Sequence, residues 1–192
     1  PDCSGPALTY DYELTDGTLS SIAFPSSSFP SGVNGLNIYV DGTFVVDAGV
    51  SFDDCNLVMA PGAKIDIQAN SGMDASDCHF YACSSMWDGI YTSSTTSSLE
   101  LKLCFIEDAE NAVVSENGAP FTIGSNVFNR NYTGVDIRPY SGPTNIGNYS
   151  IYNNIFTSRS WPQNASPAAN YTYSQLEGAY PLTRFSPVNM KA

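Results

Sequence analysis

The side chains able to do chemistry here are mostly acidic: nineteen Asp and Glu stand against seven Lys and Arg and a single histidine, His79. Cleaving a polysaccharide takes either a cation-assisted base or two or three carboxylates held about 5 to 10 Å apart. The repeat described below puts Asp66 and Asp136 at one outward-facing rank but three coils apart, about 14 Å by strand spacing, too far for either glycosidase geometry. Lys64, Lys102, Arg130 and Arg138 are scattered, with no carboxylate cluster in view beside any of them. His79 follows a core-facing residue and so reads as an outward surface residue, not a base or a ligand. Asp53, Asp54, Asp74 and Asp77 would bring carboxylates together on adjacent coils, where Ca²⁺ relieves their repulsion. Without a regular calcium-binding nonapeptide they read as turn residues, and neither a catalytic residue nor a cofactor is expected.

The elements that must position these residues are short strands. Phe52-x-x-Cys55-x-Leu57, Ala75-x-x-Cys78-x-Phe80, Leu101-x-x-Cys104-x-Ile106, Ile123-x-x-Asn126-x-Phe128 and Ile151-x-x-Asn154-x-Phe156 repeat one pattern. Its period, about 22 to 28 residues, is that of one solenoid turn. A second apolar strand follows each of the first four copies, from Ile65, Ile90, Val113 and Val135. Two or three short strands per repeat, without helix between them, describe a coil of an all-β, right-handed parallel β-helix of about five coils. Stacked coils set equivalent residues about 4.8 Å apart, so Cys55, Cys78, Cys104, Asn126 and Asn154 should form one internal column. Asn126 and Asn154 must then be satisfied by each other or by backbone.

Three of the five cysteines belong to that column, where a thiol behaves as a small hydrophobe. Cys3 and Cys83 fall outside it and are the candidate disulfide. Asn-x-Ser/Thr sequons at Asn131, Asn148, Asn164 and Asn170 are candidate glycosylation sites, although a chain so rich in Asn, Ser and Thr produces such a number by chance. Trp87 is expected to wedge a corner against a neighbouring coil, and Gly89 to allow a close backbone approach.

The repeats occupy residues 36–158. Residues 1–35, with a strand-like Leu8–Leu14 and a loop at Ser26–Ser28, and residues 159–192, rich in Pro and Tyr, lack the pattern. A solenoid has open ends that must be covered. Two readings of the termini stand: caps on the chain's own ends, or segments exchanged with a neighbouring subunit.

A formal charge of −12 without a basic cluster excludes nucleic acid and anionic membrane surfaces as partners. No apolar run approaches the roughly 20 residues of a membrane span, so no membrane insertion is expected. The start at Pro1 reads as a mature or excised segment of a longer precursor.

The segment Ala82-Cys-Ser-Ser-Met-Trp-Asp-Gly-Ile90, one coil after Pro61-Gly-Ala-Lys-Ile65, resembles a family of secreted right-handed β-helix proteins of Bacteroidota. The resemblance covers about residues 44–137. It implies an extracellular or cell-surface protein with an adhesive or unassigned role, often exported by the type IX system, whose sorting domain is not recognised in these residues. It supplies no catalytic residues. The reading is a structural or adhesive module that self-associates end to end, as in a filament, with surface glycans as candidate partners. The rival is a carbohydrate-binding or polysaccharide-cleaving domain.

Overall fold

The computed structural model describes residues 9–26, 32–82, 84–139 and 149–157, and the backbone of a strand at 186–190. Strands β1 (Tyr12–Leu14) and β2 (Thr18–Leu19) lead into one helical turn, α1 (Ser20–Ala23). Strands then come in threes: β3 (Val33–Asn34), β4 (Asn37–Val40) and β5 (Thr43–Val46), followed by β6 (Val50–Asp53), β7 (Asn56–Met59) and β8 (Lys64–Ile67). The next coils hold β9 (Gly72–Ser76), β10 (His79–Ala82) and β11 (Trp87–Thr92), then β12 (Ser98–Lys102), β13 (Phe105–Glu107) and β14 (Ala109–Ser115). Last come β15 (Phe121–Gly124), β16 (Val127–Asn129), β17 (Thr133–Ile137), β18 (Tyr149–Tyr152), β19 (Ile155–Thr157) and β20 (Ser186–Met190).

Each strand pairs in parallel with its equivalents in the coils before and after, making three sheets: β1-β4-β7-β10-β13-β16-β19, β2-β5-β8-β11-β14-β17-β20 and β3-β6-β9-β12-β15-β18. This is the parallel β-helix that the repeat predicts. In register, inward residues form continuous rows, such as Ile38, Leu57, Phe80, Ile106 and Phe128 in the first sheet. All five are essentially inaccessible. Every coil adds one side chain to each row, so the core grows by stacking and its end coils need a cover of their own.

Two boundaries differ from expectation. Residues 1–35 are not simply an unrepeated cap, because β1 pairs with β4 and β2 with β5 of the same chain. The repeat has an earlier copy, Val33-x-x-Leu36-x-Ile38, in register with Phe52 and Leu57. It is hidden because Leu replaces Cys or Asn at the diagnostic position. The proline-rich tail likewise returns at β20 to continue the second sheet beside β17. Pro187 is compatible with this terminal strand, where a missing N–H breaks no ladder.

At the N-terminal end, α1 lies between β2 and β3 and packs against β2 and β5. Asp47 holds it there, accepting hydrogen bonds from Ser21 N at 3.0 Å, Ser21 Oγ at 2.7 Å and Ser20 Oγ at 3.1 Å. Phe24 then turns over the core, edge-on to Phe44 and Phe52 with ring centroids 6.1 and 5.6 Å away. Gly89 is required where β11 passes β14 at a bulge. Its φ is +144°, and a Cβ there would meet Asn111 O at 1.7 Å.

Candidate functional site

The corner between the third and first sheets is built from two residues per coil. The first is left-handed: Gly35, Asp54, Asp77, Leu103, Ser125 and Asn153 have φ between 51 and 68°. The second turns inward, and from the second copy onward these residues are Cys55, Cys78, Cys104, Asn126 and Asn154, all buried except the half-buried Asn154. Asn126 Oδ1 accepts from Cys104 N at 2.8 Å, while its Nδ2 donates to Leu101 O at 2.9 Å and to Asn154 Oδ1 at 3.0 Å. Asn154 repeats the device one coil on, with Oδ1 accepting from Asn126 N and Nδ2 donating to Ile123 O, both at 2.8 Å. Each asparagine thus satisfies an N–H and a carbonyl of the preceding coil.

The thiols occupy the same place with a weaker version of the bond. Cys55 Sγ lies 3.4 Å from Val33 O, and Cys104 Sγ 3.4 Å from Ala75 O. All three are free and buried. Contact with the next thiol, and then burial, hold Cys55 and Cys78 protonated, Cys78 at about 12. Buried thiols with raised pKa values are poor nucleophiles.

Asn131 is the same clamp at the next corner: Oδ1 accepts from Ala109 N and Nδ2 donates to Ile106 O, both at 2.8 Å. It is 1 % exposed, which corrects its reading as a glycosylation acceptor, since its amide is spent inside the coil. Asn148, Asn164, Asn170, Cys3 and Cys83 lie outside the described residues.

The densest polar cluster lies on the outer side of the first sheet and centres on Glu107, which the sequence reading passed over. His79 Nε2 is 2.7 Å from Glu107 Oε2, Asn129 Nδ2 donates to Oε1 at 2.6 Å, and Trp87 Nε1 donates to the Glu107 carbonyl at 2.7 Å. Beside it Arg130 grips buried Asp108 with Nε and Nη2, at 2.7 and 2.8 Å, and reaches Glu107 Oε1 at 3.6 Å. His79 therefore faces outward as expected, but onto the Glu107 carboxylate. Trp87, at the start of β11, is fully buried, stacked on Phe80 and bonded to the next coil through Glu107 O. Asn129 Oδ1 is buried without a hydrogen-bond partner, a point at which the network would take a further donor.

No protein-family model, curated protein or solved structure matches this chain. What the cluster can do must be read from its geometry. Both Glu107 oxygens are engaged and its side chain is 5 % exposed, an arrangement that fixes coils to each other rather than exchanging protons with a substrate.

The other cations also have acidic neighbours, contrary to expectation. Lys64 Nζ lies 3.7 Å from Asp66, and Arg138 bridges Asp136 and Glu116. Lys64 and Arg138 also lie over the Tyr91 ring, at 4.2 and 5.7 Å from its centroid. Such partners lie two residues away on one outward row or one coil away in space, where a linear scan does not join them. Asp66 and Asp136 keep the predicted rank, separated by Tyr91 and Val114. Asp54 and Asp77 are corner residues and Asp53 accepts from Asn34 Nδ2 at 2.7 Å. No group of three potential metal ligands occurs among the described residues.

Burial opposes ionisation of Glu107, but hydrogen bonds from His79 and Asn129 and the charge of Arg130 outweigh it and hold the carboxyl below its usual value. A group lowered in the folded state contributes stability above its unfolded pKa, about 4.3, and loses it as pH falls through the folded pKa. The stability advantage of the wild type over Glu107→Gln should therefore be present at pH 5 and shrink as pH falls below about 4.3. Urea midpoints at stepped pH measure it, and an advantage that grows between pH 5 and 3 would reverse the assignment.

Proposed function

We propose that this chain is an extracellular structural or adhesive module that self-associates through its C-terminal coil. The observation that carries this reading is how one core row ends. Phe52, Ala75, Leu101 and Ile123 are at most 3 % exposed, whereas Ile151, next in the same row, is 38 % exposed. Ile155, in the same coil on the outward row of Phe105 and Val127, is also exposed. The N-terminal end differs, since Phe24 and α1 close it. Acidity without a basic cluster, and the resemblance to secreted Bacteroidota β-helices, support a place outside the cell.

A second copy is the occupant whose geometry fits, because β18, β19 and β20 end their sheets with one neighbour each among the described residues and offer backbone pairing as well as apolar contact. Covering an isoleucine contributes about 1.5 to 3 kcal/mol. Two open C-terminal ends meeting give a closed pair, and a C-terminal end meeting β1 and β2 of the next copy gives an open fibre. The closed N-terminal core favours the pair.

Light scattering across a concentration series tests this. The intact chain should gain mass with concentration, and Ile151→Asp combined with Ile155→Asp should hold it at monomer mass. A wild-type chain that stays monomeric at the highest concentration reached would sink the reading.

A further inference from the structure

The outer face of the third sheet carries a cleft that the self-association above does not use. Its main body, about 540 Å³, falls in the range of small-ligand sites and is floored by Gly32, Gly49 and Gly72. Its walls mix hydroxyls and amides, among them Ser51, Ser98 and Asn70, with the apolar Phe24, Val33 and Val50. Two smaller hollows, of about 350 and 210 Å³, continue it across the sheet, and Asp74 lines all three. Glu100, in register with Asp74 on the next strand, lines both smaller ones. Lys102 is ion-paired to Glu100 at the cleft's edge.

Beyond Lys102 the same row passes through Gly124 to Tyr152. Tyr152 lies across Gly124: a Cβ on that glycine would meet the ring carbon Cζ at 2.3 Å. The ring is thus laid along the sheet toward Lys102, and Tyr152 is 42 % exposed. From the strand of Asp53 to that of Tyr152 are four strand spacings, about 19 Å.

We propose that this face is a binding site for a neutral oligosaccharide, with Asp74 and Glu100 accepting hydrogen bonds from sugar hydroxyls and the Tyr152 ring as the stacking face. The chemistry selects the class. Paired carboxylates accept from the adjacent hydroxyls of a sugar ring, in charge-assisted bonds of about 1.5 to 3 kcal/mol each. An exposed aromatic face attracts the C–H side of the same ring through its negative π-cloud. An anionic polysaccharide would meet Asp53, Asp74 and Glu100 against one Lys102, on a chain of formal charge −12.

Affinity electrophoresis through gels containing xylan, mannan, mixed-linkage β-glucan, galactan or polygalacturonate tests it. At least one neutral polysaccharide should retard the intact chain. Tyr152→Ala and Asp74→Ala should each weaken that retardation about tenfold, the loss of one charge-assisted bond or its equivalent. Gly124→Ala, which displaces the ring without removing it, should weaken it as well, and unchanged melting temperatures would show that the variants fold. Retardation by polygalacturonate alone, by none of the five, or equally in wild type and all three variants would overturn the proposal. Retardation of wild type that needs added Ca²⁺ and vanishes with chelator would also overturn it, in favour of a cation held by the two carboxylates. Asp74 lies on the side of the coil whereas Tyr152 belongs to the end strand β18, so the Asp74→Ala arm, read at a concentration where the chain is monomeric, is the one independent of self-association.

Discussion

Replacing Arg130 with Met should destabilise the folded chain by about 3 to 5 kcal/mol, the cost of breaking a buried ion pair from one side. The guanidinium is 8 % exposed as a residue and grips an inaccessible Asp108 with two parallel bonds, a fixed fork that Lys cannot copy. Asp108 and Arg130 are themselves corner residues with φ of 62 and 56°, so the pair fastens one coil's corner to the next. Removing Arg130 also takes the cation from Glu107, leaving two carboxyls in a site that water does not reach. Arg130→Met combined with Asp108→Asn should recover much of the loss, because desolvation of the orphaned charge is the larger part of it. Urea denaturation of the two single variants and the double variant checks this. Additive losses, with no recovery, would show that the two side chains act independently.

Asn126→Leu should cost about 2 to 5 kcal/mol although it puts a hydrophobe into a hydrophobic column. The substitution strands the Cys104 N–H and the Leu101 carbonyl, each a buried backbone group costing about 1 to 3 kcal/mol when unpaired. It also removes the Nδ2 partner of Asn154 Oδ1. Asn126→Cys should cost less, since Cys at this corner reaches only the carbonyl in the coils that carry it. Hydrogen exchange at the Cys104 amide gives a local readout beside the urea midpoint. A loss below about 1 kcal/mol, with that amide still protected, would mean the neighbouring coils rearrange to satisfy it.

The parallel β-helix, its register and its internal column were legible in the order of residues because a solenoid is nearly one-dimensional. A side chain repeated at a fixed interval lands on its own image one strand spacing away. Leu57, Phe80, Ile106 and Phe128 are in that sense written in the sequence. The same logic missed Val33-x-x-Leu36-x-Ile38, where Leu fills the corner and erases the Cys or Asn that marks the others. It also misread Asn131, whose sequon concealed that it sits five residues after Asn126, as Ala109 sits five after Cys104.

What only the tertiary structure decided is which outward side chains are outward in fact. Period-two alternation assigns Val58, Tyr81, Glu107 and Asn129 to the face away from the core, yet all four are buried. Partners such as His79 and Glu107, or Arg130 and Asp108, lie 28 and 22 residues apart in the chain and meet because coil lengths vary. Those lengths depend on how many residues each corner loop absorbs, and nothing local in the sequence fixes that number. The flat ring of Tyr152 over Gly124 and the carboxylate pair of Asp74 and Glu100 arise the same way, from a neighbour one strand over rather than from a neighbour in sequence.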